Sequence, residues 1–158
     1  MTKKHFDNVK NQIGACGIWC GSCVAGNGVI QLLTQKYAKI IDDYGLKQWA
    51  PEDFDFEELS KGLVSIQKMP LCPGCLKGGG RDDCEIRFCI TQRHISDCSE
   101  CDDQDKCPHT ELLNKMRMGA QKACLFTKTE HAENHKLIRE WSRLLKDAWP
   151  SSILFSGE

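Results

Sequence analysis

The sequence lacks any long apolar run and any excess of one charge. No stretch approaches the roughly 20 apolar residues of a membrane-spanning helix, and no apolar signal-peptide core follows the lysines near residue 1. Lysine and arginine total 21 against 22 for aspartate and glutamate, a formal net charge of −1. This balance removes the bulk electrostatic argument for binding nucleic acid or an anionic membrane. We expect a cytoplasmic protein with no membrane association and no strong nucleic-acid interaction.

Familiar catalytic signatures are also missing. The chain has no serine–histidine–aspartate order typical of hydrolases, no P-loop and no dinucleotide-binding fingerprint. It has no internal repeat of solenoid length and no low-complexity tract. Acidic residues are plentiful, but no pair of them stands out as an acid/base site. The sequence therefore indicates no particular reaction.

Cysteine, by contrast, is several times more frequent than usual, at 11 of 158 residues. Ten of these lie in two blocks, a first block from residue 16 to 23 and a second block from 72 to 107. They are Cys16, Cys20, Cys23, Cys72, Cys75, Cys84, Cys89, Cys98, Cys101 and Cys107. A disulfide framework would not persist in a reducing cytosol, where closely spaced cysteines are typical of metal ligands. We predict that all ten bind metal, and that the eleventh, Cys124, is a small core residue of a helix.

The clearest chemical signal is the C-x2-C spacing, which occurs in Cys72-Pro73-Gly74-Cys75 and again in Cys98-Ser99-Glu100-Cys101. Two thiolates at this spacing bind one ion if the turn between them is tight. Gly74 permits unusual backbone angles there, and Pro73 fixes one dihedral in advance. Because tetrahedral zinc takes four ligands, the ten cysteines predict about two zinc ions.

The spacing leaves open how the ten cysteines pair. A local solution joins the first four cysteines of the second block and leaves its last three to share an ion with a cysteine of the first block. A cross-braced arrangement, in which the two C-x2-C pairs share an ion, fits equally well. We expect the helices between the blocks to fold back as a hairpin. The first block would then share a site with the segment from Cys98 to Cys107.

Two alternatives to a zinc-stapled module use the same thiolates. One is an iron–sulfur protein for electron transfer or redox sensing. The other is a small metalloenzyme with an open metal position at the first block. Its C-x3-C-x2-C spacing is that with which radical S-adenosylmethionine enzymes hold a [4Fe–4S] cluster. Those enzymes need most of a β/α barrel, and this chain has neither the length nor the alternating strands and helices.

Hydrophobic periodicity predicts a mostly helical chain. Two amphipathic helices lie within residues 29–68, where Gly45 ends the first and Asp55 with Glu58 resembles a capping box for the second. A further helical run follows Thr110, and Thr127 with Glu130 forms a capping box for a last helix before Pro150. Strand signals are weak, and they are confined to residues 84–90 and the surroundings of the CPGC turn.

The predicted fold is therefore α+β but mostly helical, a small single domain with metal-stapled cysteine loops and little strand. We expect residues 1–109 to form a cysteine-rich metal-binding domain with the helical pair 29–68 inserted in it. Residues 110–150 are expected to form a C-terminal helical extension packed on that domain. Trp49, Trp141 and Trp149 are predicted to be core or interface anchors.

The blocks CGIWCGSC, CPGC, CEIRFC and CSEC, followed by Cys107, resemble in this order a cysteine-rich family of bacteria and archaea. The family is catalogued as domain of unknown function thirty-seven ninety-five. The family pattern has Phe-Pro before its last cysteine, where this chain has Asp105-Lys106. The resemblance implies metal binding, with zinc as the metal, and no established reaction. We predict a zinc-stapled binding or adaptor module with a protein partner that the sequence does not identify.

Overall fold

Helices make up most of the structure, a computed structural model that describes residues 2–148. Its α-helices are α1 Thr2–Val9, α2 Val24–Asn27, α3 Val29–Asp43, α4 Phe56–Lys68, α5 Glu85–Arg93, α6 Thr110–Lys122 and α7 Asn134–Ala148. Short 3₁₀ turns lie at Cys20–Ser22, Leu46–Gln48, Cys75–Lys77, Cys98–Glu100 and Gln104–Lys106. Within the described range, β pairing is limited to the isolated bridges Ile13–Trp19 and Ile18–Thr127. The predicted fold class, mostly helical with little strand, is confirmed.

The two helices predicted within residues 29–68 are α3 and α4. Gly45, just beyond α3, adopts the left-handed conformation with a φ of 58°, and the Asp55 carboxylate accepts a hydrogen bond from the Glu58 N–H at 2.9 Å. Both features match the predicted helix stop and cap. The Gln31 side chain, near the start of α3, donates to the Met69 carbonyl just after α4 at 2.6 Å. The two helices are therefore antiparallel.

The prediction of an extended segment at residues 84–90 is wrong, because residues Glu85–Arg93 form helix α5. The sequence alternates apolar and polar residues there, which mimics a strand. Ile86 and Ile90, however, are four residues apart and share one face of a helix. Both are buried in a core cluster with Ala15, and tertiary packing therefore selects the helix.

Two predictions in the C-terminal part are also wrong. The last helix begins at Asn134 rather than near Thr127, because residues 126 and 128 pair with the first block. The Trp19 N–H donates to the Phe126 carbonyl at 2.9 Å, and the Lys128 N–H donates to the Gly17 carbonyl at 2.8 Å.

Cys124 is exposed rather than buried in the core. Helix α6 ends at Lys122, and Cys124 adopts a φ of 55°, the left-handed position that often follows a helix C-terminus. The Leu125 N–H then donates back to the Ala120 carbonyl at 2.8 Å, which closes the end of the helix.

The main core is built around Trp19, which is fully buried. Its ring centroid lies 5.9 Å from that of Trp141 in α7 and 6.3 Å from that of Phe6 in α1. Its indole N–H donates to the Lys10 carbonyl at 2.6 Å. Trp141 is thus the buried anchor that the sequence predicted, whereas Trp49 is 82% exposed. Trp149 and the predicted end at residue 150 lie outside the described residues.

A buried ion pair ties the C-terminal segment to the second cysteine block. The Lys128 ammonium lies 2.8 Å from a carboxylate oxygen of Asp97, and the two side chains are 1% and 0% exposed. Lys128 also donates to the Asn134 side-chain oxygen at 2.7 Å. Asp97 in turn accepts hydrogen bonds from the backbone N–H and the hydroxyl of Ser99. This network holds the turn that carries Cys98.

No helix in residues 2–148 is both long enough and apolar enough to cross a membrane.

Candidate metal centre

Two of the C-x2-C pairs each span one 3₁₀ turn. The Cys23 N–H donates to the Cys20 carbonyl at 3.1 Å, and the Cys101 N–H donates to the Cys98 carbonyl at 3.4 Å. Side chains three residues apart eclipse in a 3₁₀ turn. Both sulfurs of each pair therefore lie on the same side of the backbone.

The loop that holds Cys72 and Cys75 depends on two glycines. Gly74 has a φ of 95° and a ψ of 153°, a conformation accessible essentially to glycine alone. Gly79 donates its N–H to the Gly74 carbonyl at 2.9 Å. A Cβ atom at position 79 would lie 2.5 Å from the Cys72 sulfur and 2.8 Å from the Gly74 oxygen. The loop closes over Cys72 because residue 79 has no side chain.

We expect Gly79→Ala to displace Cys72 and to remove roughly one of the about two metal ions that four-cysteine sites would bind. The reason is steric, since the added methyl group would collide with both a sulfur and the backbone. Metal content by elemental analysis is the measurement. The matched control is Gly62→Ala on α4, where a Cβ meets nothing within 4 Å. Equal metal content in the two variants would contradict the prediction.

The structure brings together Cys20, Cys23, Cys72 and Cys75, here called the first thiol group. Burial, together with the negative charges of Cys75, Cys72 and Cys23, raises the pKa of Cys20 to about 11. The backbone N–H of Cys75 opposes this increase at Cys20. The Cys75 N–H lies 3.4 Å from the Cys20 sulfur, and the Ala15 N–H lies 3.4 Å from the Cys75 sulfur.

Four cysteines of the second block line one cavity of about 230 Å³, and they are called the second thiol group. They are Cys89, Cys98, Cys101 and Cys107. Burial, together with the charges of Cys107 and Cys16, raises the pKa of Cys98 to about 12.

Two arginines bring positive charge to the second thiol group. The charge of Arg117 lowers the pKa of Cys98 and so favours its thiolate. Arg93 donates to the Cys101 sulfur at 3.6 Å and to Asp103 at 3.0 Å. One terminal nitrogen of Arg117 is buried and has no hydrogen-bond acceptor among the described residues. Both cations are therefore placed to stabilise anionic sulfur.

The remaining two cysteines of the blocks are Cys16 and Cys84, and the charge of Cys84 acts on Cys16. Burial raises the pKa of Cys16, and the charges of Cys75 and Cys84 contribute. Cys16 also raises the pKa of Cys98. It is therefore close enough to cysteines of both thiol groups for charge repulsion.

The first block meets both parts of the second block. Cys20 and Cys23 stand with Cys72 and Cys75, and Cys16 lies beside Cys98, a contact that the expected site between the first block and the Cys98–Cys107 segment requires. Long-range backbone bonds are the cause. The Cys72 N–H donates to the Ala25 carbonyl at 2.8 Å and draws the CPGC loop against α2. The Cys98 N–H donates to the Ala15 carbonyl at 2.9 Å, which places Cys98 beside Cys16 of the first block. How the ten cysteines would share metal ions stays a prediction.

Two residues that shape the site were not identified from the sequence, Gln12 and Arg117. The buried Gln12 side chain donates to the Pro73 carbonyl at 2.9 Å and accepts from the Leu76 N–H at 3.2 Å. It therefore holds both ends of the turn around Cys75. Neither residue lies in a cysteine block, so the sequence contains no local signal for either role.

The donor set has the chemistry of a thiolate metal site. Each thiol group contains four half-buried sulfurs, and backbone N–H groups or arginines lie next to them. In residues 2–148, no three His, Cys, Asp or Glu side chains are arranged with the geometry of a metal-ion site. The structure thus shows thiols gathered from distant segments, with sulfur as the available donor atom.

The fold and the two thiol groups define a small, mostly helical, cysteine-rich protein. The chain belongs to the family described as Protein of unknown function (DUF3795), whose model matches residues 12–112. The match covers both cysteine blocks and the first residues of α6, and it confirms the resemblance seen in the sequence. No curated protein and no solved structure matches the chain significantly.

Proposed function

We propose that this protein binds metal through its cysteines, as a zinc-stapled binding or adaptor module in the reducing cytoplasm. The observation that supports the proposal is the convergence of thiols from separate segments. The Cys20–Cys23 turn lies with the Cys72–Cys75 loop, and Cys89 lies with the three cysteines from 98 to 107. Four sulfurs in each group match the ligand number of tetrahedral zinc.

The charges around the thiols fit a bound cation. In each group the thiolates repel one another, and burial weakens their hydration. A divalent cation among four thiolates offsets this repulsion and leaves a formal charge of about −2 per site. Arg93 and Arg117 are placed to compensate part of that charge at the second thiol group.

An iron–sulfur protein is the second candidate, and one observation favours it. Four cysteines, the ligand number of the common iron–sulfur clusters, line one cavity at the second thiol group. A cluster held by four cysteines occupies more space than an ion and uses the same ligands. This candidate implies electron transfer or redox sensing instead of a purely structural metal.

Elemental analysis and a visible spectrum of anaerobically purified protein test the proposal. We expect a colourless protein with about two zinc ions per chain, one for each group of four thiols. Cys20→Ser and Cys98→Ser should each remove about one ion, since each variant removes a ligand from a different group. Cys124→Ser is the control, because Cys124 is exposed and lies outside both groups.

The alternative outcomes are distinct. A brown protein that contains iron and inorganic sulfide would support the iron–sulfur candidate and contradict the zinc-stapled module. A chain purified without any metal, which also fails to take up added zinc or iron, would overturn the metal-binding proposal itself.

A further inference from the structure

Most of the exposed large hydrophobic side chains lie in α3, α4 and the loops beside them. Five of them follow one another along α3 and the residue just after it, and they are called the α3 stripe: Ile30, Leu33, Tyr37, Ile40 and Tyr44. Their exposure ranges from 36% to 73%. A large apolar surface of this kind is typical of a contact with another molecule.

The spacing of the α3 stripe identifies the kind of surface that covers it. Its residues alternate steps of three and four, the pattern of the a and d positions in a coiled coil. Thr34 and Ile41, each one residue after a residue of the stripe, are buried. The adjacent face of α3 therefore already packs within the protein. The α3 stripe is therefore an additional helix-packing face that the described part of the chain leaves open.

We propose that the α3 stripe binds the α3 stripe of a second copy of this chain, with the two helices antiparallel about a twofold axis. A twofold interface requires a surface that complements itself. In the antiparallel register, Tyr37 faces Ile40 of the second copy, and Leu33 faces its Tyr44. Each aromatic ring then packs against an aliphatic side chain.

The charges beside the α3 stripe support the same arrangement. Lys36 and Asp43 occupy equivalent positions along one edge of the stripe, seven residues apart. Asp43 also forms an exposed ion pair with Lys39 of its own helix at 2.7 Å. An exposed pair of this kind contributes at most about 1 kcal/mol, so it does not prevent Asp43 from meeting a cation of a second copy. An antiparallel second copy places Lys36 beside Asp43 of its partner, and the reverse contact forms by symmetry. In a parallel arrangement, the same register would place Lys36 beside Ile41 of the second copy, where it meets no opposite charge. Charge complementarity thus favours the antiparallel dimer over both a parallel dimer and an apolar partner without charges.

Sedimentation velocity of the full chain, as purified with its metal, tests the dimer. We expect dimer to form as the concentration rises from about 1 to about 200 µM, by mass action. Ile40→Asp and Tyr44→Lys should each raise the dissociation constant at least about tenfold, because each buries a charge in the apolar contact. Met118→Asp on α6 is the matched control, since Met118 is also exposed, at 58%, but lies outside the stripe. It should leave the dissociation constant unchanged.

The antiparallel register has its own test. Lys36→Asp and Asp43→Lys should each weaken the dimer, and the double variant should restore it, because the exchanged charges meet again in the antiparallel register. Circular dichroism at 222 nm confirms that helix content is unchanged in each variant.

A wild-type chain that stays monomeric over the whole range would overturn the proposal, as would a dimer that survives both Ile40→Asp and Tyr44→Lys. A double charge variant that stays as weak as the single ones would overturn the antiparallel register.

Discussion

Removal of the proposed zinc ions with a strong chelator is expected to unfold the segment from Cys72 to Cys107. The core cluster of this segment has three buried apolar residues, Ala15, Ile86 and Ile90, and several of its other members are the cysteines themselves. Without a bound cation, no metal ion joins the gathered thiols. Structural zinc contributes about 10–16 kcal/mol in small zinc-finger peptides, which is comparable to the whole stability of a domain, about 5–15 kcal/mol.

Far-ultraviolet circular dichroism and amide hydrogen exchange measure this effect, with metal release verified by elemental analysis. Exchange should rise most in residues 72–107. It should rise less around Trp19 and Trp141, because their core cluster contains no cysteine. Added zinc should restore both signals. An unchanged melting curve after verified loss of metal would contradict the prediction.

Lys128→Met is expected to lower the free energy of unfolding by about 3–5 kcal/mol, because it leaves the Asp97 carboxylate buried without its cation. Asp97 is fully buried, and its other hydrogen bonds, to Ser99, are too few to replace a charged partner. For a chain of this size, the loss corresponds to a decrease in melting temperature of about 10 °C or more. The same substitution should loosen the turn that carries Cys98.

Denaturant unfolding at neutral pH measures this loss, with Lys136→Met as the matched control. Lys136 lies 2.9 Å from Glu133, but both side chains are more than half exposed, so the control should cost less than about 1 kcal/mol. Asp97→Asn in the Lys128→Met background should recover part of the loss, since a neutral amide no longer leaves a buried charge. Equal losses in Lys128→Met and Lys136→Met would show that the buried pair contributes no more than an exposed one.

Features that depend on residues close together in the chain followed from the sequence by itself. The individual helices α3 and α4, the Asp55 cap, the stop at Gly45 and the special backbone at Gly74 are of this kind. Each depends on contacts within about four residues, where periodicity, capping and glycine conformation act directly. The order of the cysteine motifs also identified the family.

The grouping of the cysteines was decided by the tertiary structure. Bonds between Cys72 and Ala25, and between Cys98 and Ala15, join segments that the spacing of motifs does not relate. The same holds for α5, where the second core cluster selected a helix over the strand that the alternation indicated. It also holds for residues 126–128, which pair with the first block. The spacing of cysteines along the chain shows which of them can lie together in one tight turn. Which turns face one another depends on long-range packing and backbone pairing, which a single sequence does not specify.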